Sequence, residues 1–230
     1  MSVIVSLVSS KGAIVASDGR MYGPAVFREW GLVEIPSKIL SDEHDKTFKL
    51  ERLGLCSTFC GLMSFSGRSI PEHVNELASS ICLEVIDTWD IAETIGNGMK
   101  GRLENVDANE VGVAFRTIDL LFSGRQVKGG GPGTVAIRLA SEGKSIGIES
   151  KTFHANGGWA YCSAGDDLAK AECLQFLDRT KQAGTQGLGT STLGTLARKT
   201  IRRGIKKSGL YKGNGCPSCG GKTFVKQIRW

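Results

Sequence analysis

The chain has 230 residues, 40% of them hydrophobic and 23% charged, with 31 Gly and 5 Pro. This excludes a wholly disordered chain and, with no Gly-X-Y period, a collagen. No stretch approaches the ~18 uninterrupted apolar residues of a membrane span, so no membrane partner is expected. The net charge of +6 is concentrated near the end of the chain. Arg198, Lys199, Arg202, Arg203, Lys206 and Lys207 have no acidic residue among them, and Lys212, Lys222, Lys226 and Arg229 follow. Such a segment attracts nucleic acid, acidic lipid or an acidic partner, or forms the solvated face of a helix. It lacks the interleaved aromatic residues of a stacking platform.

In chain order, Ser2–Ser9 is apolar in both alternating sets, which predicts a strand buried on two faces. A turn at Ser9-Ser10-Lys11-Gly12 leads to a second strand over Ala13–Ser17. Residues 21–45 read as an enlarged, irregular loop. Lys46–Leu50 and Leu53–Cys60 form another hairpin. Ser69-Ile70-Pro71-Glu72 starts a helix with a Ser cap, an early Pro and an early Glu. Its apolar positions run on to Trp89, and Gly96 and Gly98 break the pattern. The spacing of Val111, Ala114, Phe115, Ile118, Leu121 and Phe122 predicts a second helix after Asp107 and Asn109, although Val111–Phe115 alone also fits a strand.

Thr134–Leu139 and Ser145–Glu149 flank a turn as a third hairpin, and Gly158–Ser163 is a further strand. Helices follow over Asp166–Leu177 and, after a Gly-rich linker at Gln182–Thr190, from Leu193 to Ile205. Lys222–Ile228 closes the chain as a strand. Hairpins grouped between helix pairs indicate antiparallel sheets with helices layered outside, an α+β sandwich.

The seven cysteines (Cys56, Cys60, Cys82, Cys162, Cys173, Cys216 and Cys219) are odd in number. The apolar start lacks the basic n-region of a secretory signal. A reducing, cytoplasmic setting with free thiols is expected. Cys216-x-x-Cys219 has half the ligands of a structural zinc, with no second such pair, and His44, His73 and His154 lie on unrelated segments.

The first strand pair runs from Ser2 to Asp18-Gly19-Arg20. With the order of elements, this pattern resembles the proteasome β-subunit and HslV-type peptidases, which are N-terminal-nucleophile hydrolases. The resemblance implies a four-layer αββα sandwich spanning residues 1–230 as one domain, with the basic segment 198–230 at its end. It implies that Ser2, exposed by loss of residue 1, is the nucleophile and that its own α-amine is the base. A free α-amine has an ordinary pKa of about 7.7–8.0 and so can take a hydroxyl proton near neutrality.

Asp18 and a lysine would tune the nucleophile. Lys46 has the expected spacing to Gly61, and Lys38 competes with it. Gly61 matches the oxyanion-hole position, and Ser163 stands one residue from the expected serine. Cys216 and Cys219 occupy the positions of an Asp and a Ser that normally support the amine. The resemblance requires no metal or organic cofactor. It implies a peptide or unfolded-protein substrate and a homo-oligomeric ring, and it leaves a partner ATPase open. A non-catalytic ring subunit on the same fold is the alternative reading. A nucleic-acid module using residues 198–229 is the third.

Overall fold

The computed structural model describes residues 2–22, 26–27, 33–34, 39–82, 87–106, 117–142, 145–156, 158–184, 188–210 and 219–230. Strands β1 (Val3–Ser9) and β2 (Gly12–Asp18) are buried at every residue. Their two-faced apolar pattern therefore has a physical counterpart: each face is covered by another layer. They sit at the centre of the first sheet. β8 (Trp159–Gly165) lies on one side and β9 (Thr223–Arg229) on the other, and all neighbours are antiparallel.

The second sheet runs β7 (Ser145–His154), β6 (Gly133–Glu142), β5 (Thr117–Gly124), β4 (Leu55–Gly61) and β3 (Thr47–Leu50). It too is antiparallel throughout. Between residues 21 and 45, short antiparallel ladders pair Met21–Tyr22 with Ile39–Ser41 and Val26–Phe27 with Val33–Glu34.

Helices α1 (Ile70–Ser79) and α2 (Thr88–Glu104) cover the second sheet, while α3 (Asp167–Gln182) and α4 (Thr190–Leu210) cover the first. Two smaller apolar clusters fill the space between the sheets, one joining Ile4, Cys60, Leu121 and Cys162 and the other Val8, Ala13, Val15 and Cys56. A buried hydroxyl cluster also bridges the sheets. Ser6 Oγ lies 2.6 Å from Ser123 Oγ and 2.8 Å from Thr134 Oγ1. The layers are therefore αββα, as the family resemblance implies.

Two helix expectations are corrected. The helix beginning at Ser69 has the full capping box with Glu72, but it ends at Ser79 and does not reach Trp89. Its last turn is closed by the Ser79 and Ser80 hydroxyls on carbonyls three residues back and by Arg52 on the Ser79 and Ile81 carbonyls. Asp87 starts a new helix by accepting from the Trp89 N–H at 2.8 Å. Gly98 is inside that helix instead of ending it. A Cβ there would lie 2.6 Å from Leu77 Cδ2, so the glycine lets α1 and α2 approach closely.

The second helix expected from the 3.6-residue spacing is instead strand β5 from Thr117 onward; residues 107–116 lie outside the described residues. Ile118, Leu120 and Phe122 face the helices and Leu121 faces the other sheet. Burial on both faces produced an apolar run that periodicity alone does not separate from a helix. Among the described residues, no helix is long and apolar enough to cross a membrane.

Candidate active site

Ser2 lies at the entry to β1, and its main chain is clamped from two sides. The Asp166 N–H donates to the Ser2 carbonyl at 2.8 Å. Asp166 also caps α3, accepting from the Ala169 N–H at 2.9 Å. The next amide, Val3 N–H, donates to Asp18 Oδ1 at 3.1 Å. Gly165 faces Val3 in the β1–β8 register and has a φ of +106°. A Cβ on it would lie 1.9 Å from the Ser2 carbonyl oxygen.

Gly165→Ala is therefore expected to displace Ser2 and destabilise the chain by more than ~1 kcal/mol, because alanine disfavours that φ and collides with the clamp. Urea unfolding measures it. An unchanged midpoint would show that Ser2 is not held by this contact.

Asp18 is fully buried at the end of β2, and both its carboxyl oxygens accept hydrogen bonds. Oδ2 accepts from the Gly220 N–H at 3.0 Å. Oδ1, besides Val3, faces Lys46 Nζ at 3.2 Å. Lys46 is likewise fully buried. Its ammonium also donates to the Asp18 carbonyl at 2.7 Å and to the Arg20 carbonyl at 2.8 Å. All three N–H bonds are thus used, which offsets the cost of burying the ammonium. Ser2 Oγ lies 3.5 Å from that same Arg20 carbonyl oxygen. The hydroxyl and the ammonium therefore share one acceptor.

The surrounding turns are pressed together. Gly19 N–H donates to the Gly220 carbonyl at 3.1 Å, His44 N–H to the Gly19 carbonyl at 2.9 Å, and Lys222 N–H to the Asp42 carbonyl at 2.7 Å. The Arg20 guanidinium grips Asp42 with two bonds of 2.7 and 3.1 Å. That contact holds the Asp42 carboxyl below its usual range. The backbone of residues 18–20 is fixed as a result, and it presents the Asp18 and Arg20 carbonyls to Lys46.

Gly61 ends β4 with a φ of +103°. Phe59 N–H donates to the Lys46 carbonyl at 3.2 Å. Amides alternate along an antiparallel strand, so the Gly61 N–H points the same way, past the end of β3. The neighbouring Cys60 thiol is buried, 3.7 Å from Asp119 Oδ2. Burial pushes its pKa well above the ordinary thiol range, so it is no ready nucleophile.

The structure thus brings Ser2, Asp18 and Lys46 together. It places Gly61 one rung beyond Lys46. It does not bring Ser163 to them: Ser163 pairs with Val5, which packs toward α3 and α4, and its Oγ donates to the Ile4 carbonyl at 2.9 Å. Lys38 and Cys216 lie outside the described residues. Cys219 is buried, and its N–H donates to Ser208 Oγ at 3.2 Å. Among the described residues no cluster of three or more His, Cys, Asp or Glu is placed to hold a metal.

Sequence reasoning did not single out Asp166 or Gly165, or the carbonyl of Arg20. Asp166 was legible as a helix cap, but its grip on Ser2 depends on β8 lying beside β1.

No family model matches the chain, and no curated protein matches it. A solved structure of a Gly-1 mutant of Anbu from Hyphomicrobium sp. strain MC1 is similar to it. The TM-score is 0.59 at 13% identity, over 100% of this chain and 87% of that one. The fold is that of the proteasome-like N-terminal-nucleophile hydrolases. The assignment to the proteasome β-subunit and HslV-type peptidase superfamily is corrected by the same findings. At 13% identity, with no family model matching, the likeness carries the architecture and not membership.

Proposed function

We propose that the chain is a serine-type N-terminal-nucleophile hydrolase that cleaves peptide bonds through an acyl-enzyme on Ser2. The observation that carries this reading is the convergence of Ser2 Oγ and the buried Lys46 ammonium on the Arg20 carbonyl, with Asp18 paired to Lys46. Removal of the residue before Ser2 frees an α-amine next to its own hydroxyl. The amine takes the Oγ proton and Oγ attacks the substrate carbonyl. The Lys46 charge lowers the cost of the developing alkoxide, and the Gly61 N–H receives the oxyanion. Collapse of the tetrahedral adduct expels the amine product, which takes the proton back. Water, giving a proton to the same amine, then attacks the ester, and Ser2 Oγ leaves with that proton, which restores the free amine and hydroxyl.

The substrates are peptides or unfolded proteins. The chain acts in the cytoplasm, as one catalytic domain within a closed ring of copies. A ring keeps folded proteins from the nucleophile, and light scattering should give a large multiple of the monomer mass. A stable monomer at micromolar concentration would remove the ring from the proposal.

The chemistry is tested by incubating the chain with an activated peptide ester and reading intact and peptide masses. Protein that begins at Ser2 should gain the acyl mass on Ser2, and Ser2→Ala should gain none. Protein that begins at Ser2 and stays unacylated would favour a non-catalytic subunit on this fold.

A further inference from the structure

Residues 190–230 hold ten Lys and Arg and no Asp or Glu, more positive charge than the whole chain carries net. The fold gathers part of it around a concavity. A groove of about 350 Å³ opens between α4 and the residues leading into β9, lined by Arg198, Arg202, Ile205, Gly221, Lys222 and Thr223. Arg198 and Arg202 stand one turn apart on α4, both exposed. Neither has an ion pair or side-chain hydrogen bond among the described residues. Arg203, on another side of the helix, is taken by Glu172 at 2.9 Å. Lys222 lies 3.4 Å from Glu43, but both side chains are largely exposed, and such a pair holds weakly.

Three cations therefore face one concavity with little to neutralise them, and they repel one another until an anion enters. Guanidinium groups bind phosphate oxygens two at a time, which an isolated lysine does not. The lining has no aromatic side chain on which a base could stack. We propose that this groove binds an oligophosphate chain, either free or carried by a small molecule, through Arg198, Arg202 and Lys222. The proposal is independent of the hydrolase reading.

Calorimetric titration of the full chain with inorganic tripolyphosphate tests it. One-to-one binding is expected, weakening as salt is raised. Arg198→Ala and Arg202→Ala should each weaken it about tenfold, the loss of one charge-assisted contact, and the double variant should abolish it. Arg202→Lys, which keeps charge but not the forked geometry, should bind between the two. Lys206→Ala, which removes a charge outside the groove, should leave binding unchanged. All these side chains are exposed, and circular dichroism checks that the variants fold.

A second readout is the rise in unfolding temperature with ligand, present in the parent chain and absent in the double variant. Three results would overturn the proposal. One is no binding of tripolyphosphate. Another is an equal loss on Lys206→Ala, which would make the charge diffuse. The third is tight binding of duplex DNA at ~0.15 M salt that is lost in the double variant, which would make the face a nucleic-acid surface.

Discussion

Lys46→Ala is expected to abolish hydrolysis of peptide esters and to destabilise the fold by about 3–5 kcal/mol. The two effects have separate causes. Asp18 and Lys46 are both fully buried and face each other at 3.2 Å. Deleting the ammonium leaves a fully buried carboxylate without its counter-charge, and that lone charge is the source of the instability. The catalytic loss comes from the vacated position beside the Arg20 carbonyl, where the ammonium would have stabilised the Ser2 alkoxide.

A second variant separates them. Lys46→Met combined with Asp18→Asn removes both charges and keeps the volume. It should recover part of the stability in urea unfolding, the Asp18 and Arg20 carbonyls having lost their donor, and none of the activity. Activity in that double variant would show that the pair serves the fold alone.

The second large effect concerns the amine of Ser2. A chain whose residue 1 is retained, or whose Ser2 amine is acetylated, should hydrolyse esters about 10²–10⁴-fold more slowly, the usual contribution of a positioned general base. The pH profile gives the sign. The amine acts only when unprotonated, so the rate should rise with pH up to about 8 and be lost as pH falls through the amine pKa. The acetylated chain should keep its residual rate without that rise. A blocked chain with full activity would exclude the amine as base. A free amine with a flat profile would do the same.

Much of the frame was legible because short-range rules decided it. The two-faced apolar alternation of Val3–Ser9 and the box of Ser69 with Glu72 gave the first hairpin and the start of α1 their correct places. The region from Ile81 to Phe122 was not legible in the same way. Asp87 caps α2 and also accepts from the Lys128 and Gly129 amides at 2.9 and 2.7 Å. Those partners are some forty residues away, so no local pattern announces the break. Gly98 reads as a helix breaker until Leu77 is seen to occupy the space where its side chain would be. The apolar run into β5 reads as a helix until both its faces are seen to be covered.

The candidate site divides in the same way. Sequence by itself determined that Ser2 and Asp18 lie on adjoining strands of one hairpin, since a tight turn and strand register are local properties. It also narrowed the lysine to Lys46 or Lys38. Only the tertiary structure decided the rest. Lys46 reaches Asp18 and Arg20 because the second sheet lies across the first, and Gly220 reaches Asp18 from 202 residues away. The helix-facing position of Ser163, against the Ile4 carbonyl, follows from the pairing of β8 with β1. A buried charge must find its partners wherever the layers meet, and where layers meet is set by packing of the whole chain, not by any window of it.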